Sequence, residues 1–311
     1  MHFLNDPRPW WGTLRGRPWS VAELIANGTL SPLGAATLGW AIQHGVSVFV
    51  AAGPPGAGKS TLATALLTFL PPDAQVYVTA GPWDRLALPA PHAARAPAGA
   101  AASPDHTPTT CAPNPSAGEP SGPRSPGPPP LAPASTGPGA PPQPDPLPTP
   151  RAAAPTPPEL APVYLLVNEL SYHLPVYLSG PAAQRAFLHL ADGVRMLGTL
   201  HARRTSEAVR VMCAEADLDP SELATAFVIA IVAAGWRGPR IERRLVELGF
   251  VAPGGHTSLL ATLRSPTDHL TLEPRGLAAL ATWAGLSPAS VEAAITNHAA
   301  QLAAAPASPP A

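Results

Sequence analysis

The sequence predicts an α/β fold: a mainly parallel sheet flanked by helices, extended by a β-hairpin and closed by a small helical C-terminal part. Three observations predict it. Apolar runs at 46–52, 75–79, 163–167 and 196–200 read as buried strands and alternate with helical segments. That alternation builds a parallel sheet with helices on both faces. The first run passes directly into a glycine-rich loop and then a helix. Finally, Phe227 to Trp236 and Arg240 to Val251 face each other across Arg237-Gly238-Pro239 and read as a hairpin. A helix over 240–248 is the other reading of that last run.

Composition bounds the rest. A chain of 311 residues allows one or two domains. A net charge of −1 gives no electrostatic case for nucleic-acid binding, and none is expected. Cys111 and Cys213 stand far apart without metal-ligand spacing, which fits a reducing compartment and no disulfide framework. The N-terminus lacks a basic-then-apolar leader pattern. The longest apolar run, Leu223 to Trp236, is too short to span a bilayer. A soluble, cytoplasmic protein is expected.

In chain order, residues 1–18 are rich in Trp, Pro and Arg without a clear period. Ser20-Val21-Ala22-Glu23 is a capping box that starts a short helix ending near Asn27-Gly28. Ser31-Pro32 starts the next, Leu33 to His44, with Gly45 as its stop. A strand, Val46 to Ala52, and a helix, Thr61 to Leu70, flank the glycine loop. Pro71-Pro72-Asp73 turns the chain into a strand over Gln75–Thr79. From 89 to 162 lie 25 of the 45 prolines, a composition that cannot bury apolar surface. It reads as a disordered, partly polyproline insertion. Order returns with the strand Val163–Val167, a helix from Pro181 to Ala191 and a strand Met196–Leu200. A helix from Ser206 to Glu215 follows, with Ser206 as its cap. Asp219-Pro220-Ser221-Glu222 is another capping box. Short strands near 259–263 and 270–272 precede helices over Gly276–Trp283 and Pro288–Leu302. The expected division is 1–30, 31–88, 89–162, 163–251 and 252–311.

One stretch carries the chemistry. Gly53-Pro54-Pro55-Gly56-Ala57-Gly58-Lys59-Ser60-Thr61 fits G-x-x-x-x-G-K-[ST], between a strand and a helix as that motif requires. Glycines let backbone N–H groups turn toward phosphate oxygens, and the helix N-terminus adds positive potential. Lys59 would reach the β- and γ-phosphates, and Ser60 would ligate magnesium. Lys59 is also the only lysine of the chain; every other basic side chain is arginine. The chain keeps a compact ammonium where a planar guanidinium would not substitute.

Ligands of parallel sheets lie at the carboxyl ends of the strands. Glu169 follows the third ordered strand and His201 the fourth. Glu169 is the candidate for polarising water or holding magnesium through water, and His201 for contacting a γ-phosphate. Read blandly, they are a solvated strand-end carboxylate and a turn histidine. Asp84, Arg203 and Arg204 are weaker candidates, the arginines for neutralising phosphate charge.

Together these pieces resemble the ATPases of type II and type IV secretion and type IV pilus machines. Ser20 to Ala63 resembles that family's segment leading into its P-loop. Val163-Tyr164-Leu165-Leu166-Val167-Asn168-Glu169 is similar to its Walker B strand. Gly198-Thr199-Leu200-His201-Ala202 with Ser206-Glu207-Ala208 is similar to its histidine box. The resemblance covers about half of the chain. It implies a RecA-like fold and ATP binding with Mg2+ by Gly53 to Thr61. It implies Glu169 as the Walker B carboxylate, acting with Lys59 and His201. It also implies a homo-oligomeric ring, usually of six subunits, working with a membrane-embedded platform protein at the inner face of the membrane. The sequence departs from the family at its acidic box, where only Asp84 stands, and at Asn168, where a glycine is usual. A nucleotide-binding partner subunit with weak hydrolysis, or a P-loop small-molecule kinase, are the alternatives.

Overall fold

Successive residues of a strand point to opposite faces, so a strand buried on both sides reads as an unbroken apolar run. Val48 and Val50 enter one core while Phe49 and Ala51 enter another. Val228 and Ala230 repeat the first choice, Phe227, Ile229 and Ile231 the second. The sheet therefore separates two hydrophobic cores, each closed by its own helices.

The computed structural model describes residues 1–11, 17–88, 161–264 and 269–305. These belong to one compact unit. The expected proline-rich insertion lies, but for 161–162, outside the described residues. In chain order the elements are β1 (His2–Phe3), α1 (Arg8–Trp11), α2 (Val21–Ala26), α3 (Pro32–Gln43), β2 (Ser47–Ala51) and α4 (Lys59–Leu66). A 3-10 turn over Leu67–Phe69 continues α4, followed by β3 (Gln75–Val78), β4 (Val163–Leu170), α5 (Gly180–Ala191), β5 (Arg195–Leu200) and α6 (Thr205–Ala216). Beyond a short turn over Pro220–Glu222 come β6 (Phe227–Arg237), β7 (Arg240–Val251), β8 (Thr257–Arg264), β9 (His269–Leu272), α7 (Pro274–Ala284) and α8 (Pro288–Ala304).

The nine strands lie in the order β1-β3-β4-β5-β2-β6-β7-β8-β9. Pairings from β1 to β6 are parallel; those from β6 to β9 are antiparallel. The hairpin reading of 227–251 holds, and the helical alternative does not. β1 was not expected: two residues carry no period, and only pairing with Gln75 and Val76 defines them.

The caps of α2 and α3 are the expected ones. The N–H groups of Glu23 and Gly34 donate to the Ser20 and Ser31 hydroxyls, at 3.2 and 3.0 Å. At α6 the expectation is corrected. The cap residue is Arg204, whose side chain makes no capping bond. Glu247 of β7 instead accepts from the Thr205 amide at 2.8 Å and its hydroxyl at 2.6 Å. A carboxylate at a helix N-terminus serves as well when it arrives from a distant strand.

Candidate functional site

β4, β5 and β2 are consecutive in the sheet and parallel, so their carboxyl ends open on one edge. β5 separates the other two. Strands lie about 4.8 Å apart, so Glu169 and the glycine loop stand roughly two strand spacings apart, with His201 between them.

The loop after β2 has the backbone its glycines predict. Gly56 and Gly58 have φ of +73° and +92°, a region that costs other residues strain. Gly58 caps α4 without a side-chain bond. The first intrahelical bond runs from Leu62 N to Gly58 O, at 2.9 Å. The amides of Lys59, Ser60 and Thr61 thus have no carbonyl one turn back, and helix geometry gathers such groups at the positive pole.

Three side chains meet at the head of this loop. Lys59 Nζ lies 3.5 Å from Glu169 Oε2, with both residues buried. His201 Nε2 lies 3.2 Å from Glu169 Oε1 and 3.1 Å from Lys59 Nζ. The other ring nitrogen, Nδ1, is 3.1 Å from the carbonyl oxygen of Gly53. A carbonyl only accepts, so that contact puts a proton on Nδ1. Nε2 then accepts from Lys59 in the neutral ring or donates to Glu169 in the charged one. Burial pushes the Lys59 ammonium below the usual lysine range, and the Glu169 carboxylate opposes that shift.

The strands fix this trio. Thr199 of β5 donates its hydroxyl to the Asn168 carbonyl of β4. Gly198, in the same strand, leaves no room for a side chain. A Cβ there would come within 2.8 Å of Val167 Cβ and of the Phe49 ring.

A cavity of about 760 Å3 opens in front of the trio. Its floor is the run Pro55 to Thr61 with Asn168, Glu169 and His201. All candidate phosphate-site residues from Pro55 on therefore line it, as do both strand-end candidates. Gly53 contributes the carbonyl that holds His201; Pro54 is not a lining residue.

Several lining residues were not expected. Arg243 of β7 donates from Nε and Nη2 to the Gly56 carbonyl, each at 3.1 Å. It was legible only as one face of an alternating strand. Tyr177 lines the wall beside Glu169; burial, then the nearby carboxylate, push its phenol upward. Trp19, Leu24, Asn27 and Thr29 also line it.

The weaker candidates separate. Asp84 is consumed by its own loop: its carboxylate accepts from Tyr77 OH, Ala80 N and Leu86 N at 2.8, 2.7 and 2.9 Å. Arg203 lies against the loop, since a Cβ on Gly53 would meet its Nε at 2.6 Å. Arg204 is exposed at the start of α6.

The residues present fit a polyphosphate. Inward amides, a buried ammonium and adjacent guanidinium groups supply positive charge, and glycine backbone allows close approach. Among the described residues no three His, Cys, Asp or Glu side chains cluster as metal ligands. A magnesium ion here would be held by the Ser60 hydroxyl, phosphate oxygens and water, with Glu169 beyond the water, which suits an ion that keeps its hydration. No protein-family model and no curated protein sequence matches the chain.

Proposed function

We propose that the chain binds ATP with magnesium and hydrolyses it, as a RecA-like subunit of a ring-forming machine of the type II/IV secretion or type IV pilus kind. The observation that carries the reading is the convergence of Lys59, Glu169 and His201 on one another at the head of a glycine loop, from the start of α4, the end of β4 and the residue after β5.

In this reading the loop amides and Lys59 hold the β- and γ-phosphates. A triphosphate gives the buried ammonium additional counter-charge and offsets its desolvation. Glu169 then orients water toward the γ-phosphorus. His201, tied to Gly53, fixes the position of Glu169 and reads the terminal phosphate. Bound magnesium supplies charge neutralisation between the phosphates. Partners under this reading are further copies of the chain and a membrane-embedded platform protein.

Steady-state ATP turnover with Lys59→Ala and Glu169→Gln tests it. The lysine variant should lose both nucleotide affinity and turnover. The glutamine variant should keep affinity and lose turnover by about 10²–10⁴-fold, the usual loss with a catalytic base. Retained turnover in Glu169→Gln removes that residue's role. A gel-filtration shift with ATP checks ring formation.

One observation favours a second reading, a nucleotide-binding subunit with little hydrolysis. The acidic residue after β3, Asp84, spends its carboxylate on its own loop. Under that reading the native chain binds ATP with negligible turnover, and only Lys59→Ala changes anything.

A further inference from the structure

The glycine loop accounts for only part of the cavity lining. The segment ahead of α2, α2 itself and the turn after it contribute Trp19, Leu24, Asn27 and Thr29. None of these is a phosphate-binding residue type in a basic setting. They are an indole, an aliphatic wall and two uncharged polar side chains.

Trp19 is 44% exposed, although its indole is among the largest apolar surfaces of the chain. Among the described residues no ring packs against it. Its backbone is nevertheless held. Trp19 immediately precedes the Ser20 cap, where Ser20 N donates to Glu23 at 2.8 Å and Glu23 N donates back to the Ser20 hydroxyl. Arg17 pairs with the same carboxylate from the other side. That pairing, with the cap bonds, holds the Glu23 carboxyl down to about 2. Val21 and Leu24 are buried and root the helix in the core. Beyond the helix, Asn27 Oδ1 accepts from Thr29 N at 2.9 Å, and Leu245 of β7 donates to the Thr29 carbonyl at 2.8 Å. The backbone that carries the indole is thus held by the cap bonds, and the indole itself lines the cavity.

Resting on the nucleotide reading of the cavity, we infer that Trp19 is the stacking platform for the base of the bound nucleotide, with Leu24 packing beside it and Asn27 and Thr29 at the base edge. The site then takes a nucleoside triphosphate through both ends, rather than any compound bearing a polyphosphate. An aromatic platform accepts every base, because each has a π-face, so it confers affinity for a base more than choice among bases. A cavity of about 760 Å3 has the size of a site for a whole cofactor, within the range of about 300–1,000 Å3.

The test compares MgATP with magnesium tripolyphosphate by calorimetry on the full chain, wild type beside Trp19→Ala, Trp19→Phe and Lys59→Ala. The wild type should bind ATP more tightly than tripolyphosphate. Trp19→Ala should weaken ATP about tenfold or more, the usual worth of one stacked base, and leave tripolyphosphate unchanged. Trp19→Phe, which keeps a ring, should stay within about threefold of wild type. Lys59→Ala should weaken both ligands. Unchanged ATP affinity in Trp19→Ala, with both ligands lost in Lys59→Ala, overturns the platform and leaves the nucleotide reading standing. Equal weakening of both ligands in Trp19→Ala also overturns it, because the damage would then lie in the pocket and not in a base contact. A wild type that binds neither ligand removes both readings.

Discussion

Tyr164 illustrates how a single buried polar group writes a pH dependence into the fold. It lies in β4, 2% exposed, and donates its hydroxyl to the Ile42 carbonyl at 3.0 Å, tying the sheet to the end of α3. Burial pushes its phenol up to about 12 from an ordinary value near 10. The native state therefore holds the proton where the unfolded chain has released it. The resulting stability is fully present below about pH 10 and is lost as pH rises through about 12. At about 1.36 kcal/mol per unit, the loss approaches 2–3 kcal/mol. Urea titrations at pH 8 and pH 11 should show wild type losing about 1.4 kcal/mol more than Tyr164→Phe over that interval, since pH 11 lies halfway between the two phenol values. At pH 8 the variant should already be about 1 kcal/mol less stable, through the lost hydrogen bond. Equal alkaline losses in both proteins would refute the assignment. Tyr164 also marks the limit of reading single residues from sequence. Its place in a strand was legible, since its neighbours are apolar. Its partner, in an element more than a hundred positions away, was not. Lys59, Glu169 and His201 were legible for the opposite reason: Lys59 opens the helix after the glycine loop and the other two sit at strand ends, all on the edge that the strand–loop–helix order already dictates.

At the scale of elements, the link between the hairpin and the glycine loop has the clearest consequence. Arg243 grips the Gly56 carbonyl through Nε and Nη2, and a Cβ on Gly58 would come within 3.0 Å of its Cδ. β7 therefore braces the tip of the loop from outside the parallel part of the sheet. Arg243→Ala should weaken ATP binding about tenfold, since both the brace and a nearby positive charge are lost. Arg243→Lys should recover less than half of that in free energy, because a lysine cannot reproduce the two-nitrogen contact. Equilibrium titration with a fluorescent ATP analogue measures both; wild-type affinity in Arg243→Ala would show that the loop holds itself. The sequence revealed β6 and β7 as a hairpin through an apolar run, an alternating run and Gly238 between them. It gave no sign that one arginine of the alternating face reaches back to position 56. The misplaced cap of α6 has the same cause. Local chemistry offered Ser206, whereas the helix is served by Glu247, some forty residues later in the chain. Local rules place elements and caps; contacts between β7 and earlier elements depend on register, which only the assembled sheet defines.

Over the whole molecule, the two cores divide the work. One packs β2 and its neighbours against α5 and α6; the other carries α2, α3, α4, α7 and α8 and holds the rear of the glycine loop. α8 is the outermost layer of that second core, and its Val291 and Ile295 are fully buried. It packs along α3, and near the turn after α4 His298 stands edge-on to Phe69 at 5.8 Å, with both close to Gly39. α3 leads into β2, so this layer supports the strand that carries the glycine loop. Ile295→Ala should therefore cost about 2–5 kcal/mol, as core truncations do, and lower the melting temperature by roughly 4–20 °C at the usual 2–4 °C per kcal/mol for a chain of this class. The site itself should be unchanged. ATP at a hundredfold excess over its Kd stabilises any binding-competent fold by about 2.7 kcal/mol, so the ATP-induced rise in melting temperature should match wild type in Ile295→Ala and vanish in Lys59→Ala. Thermal melts of the three proteins with and without MgATP give the answer. If Ile295→Ala lost the ATP increment together with its stability, α8 would be part of the binding apparatus and the division between supporting layer and site would fail.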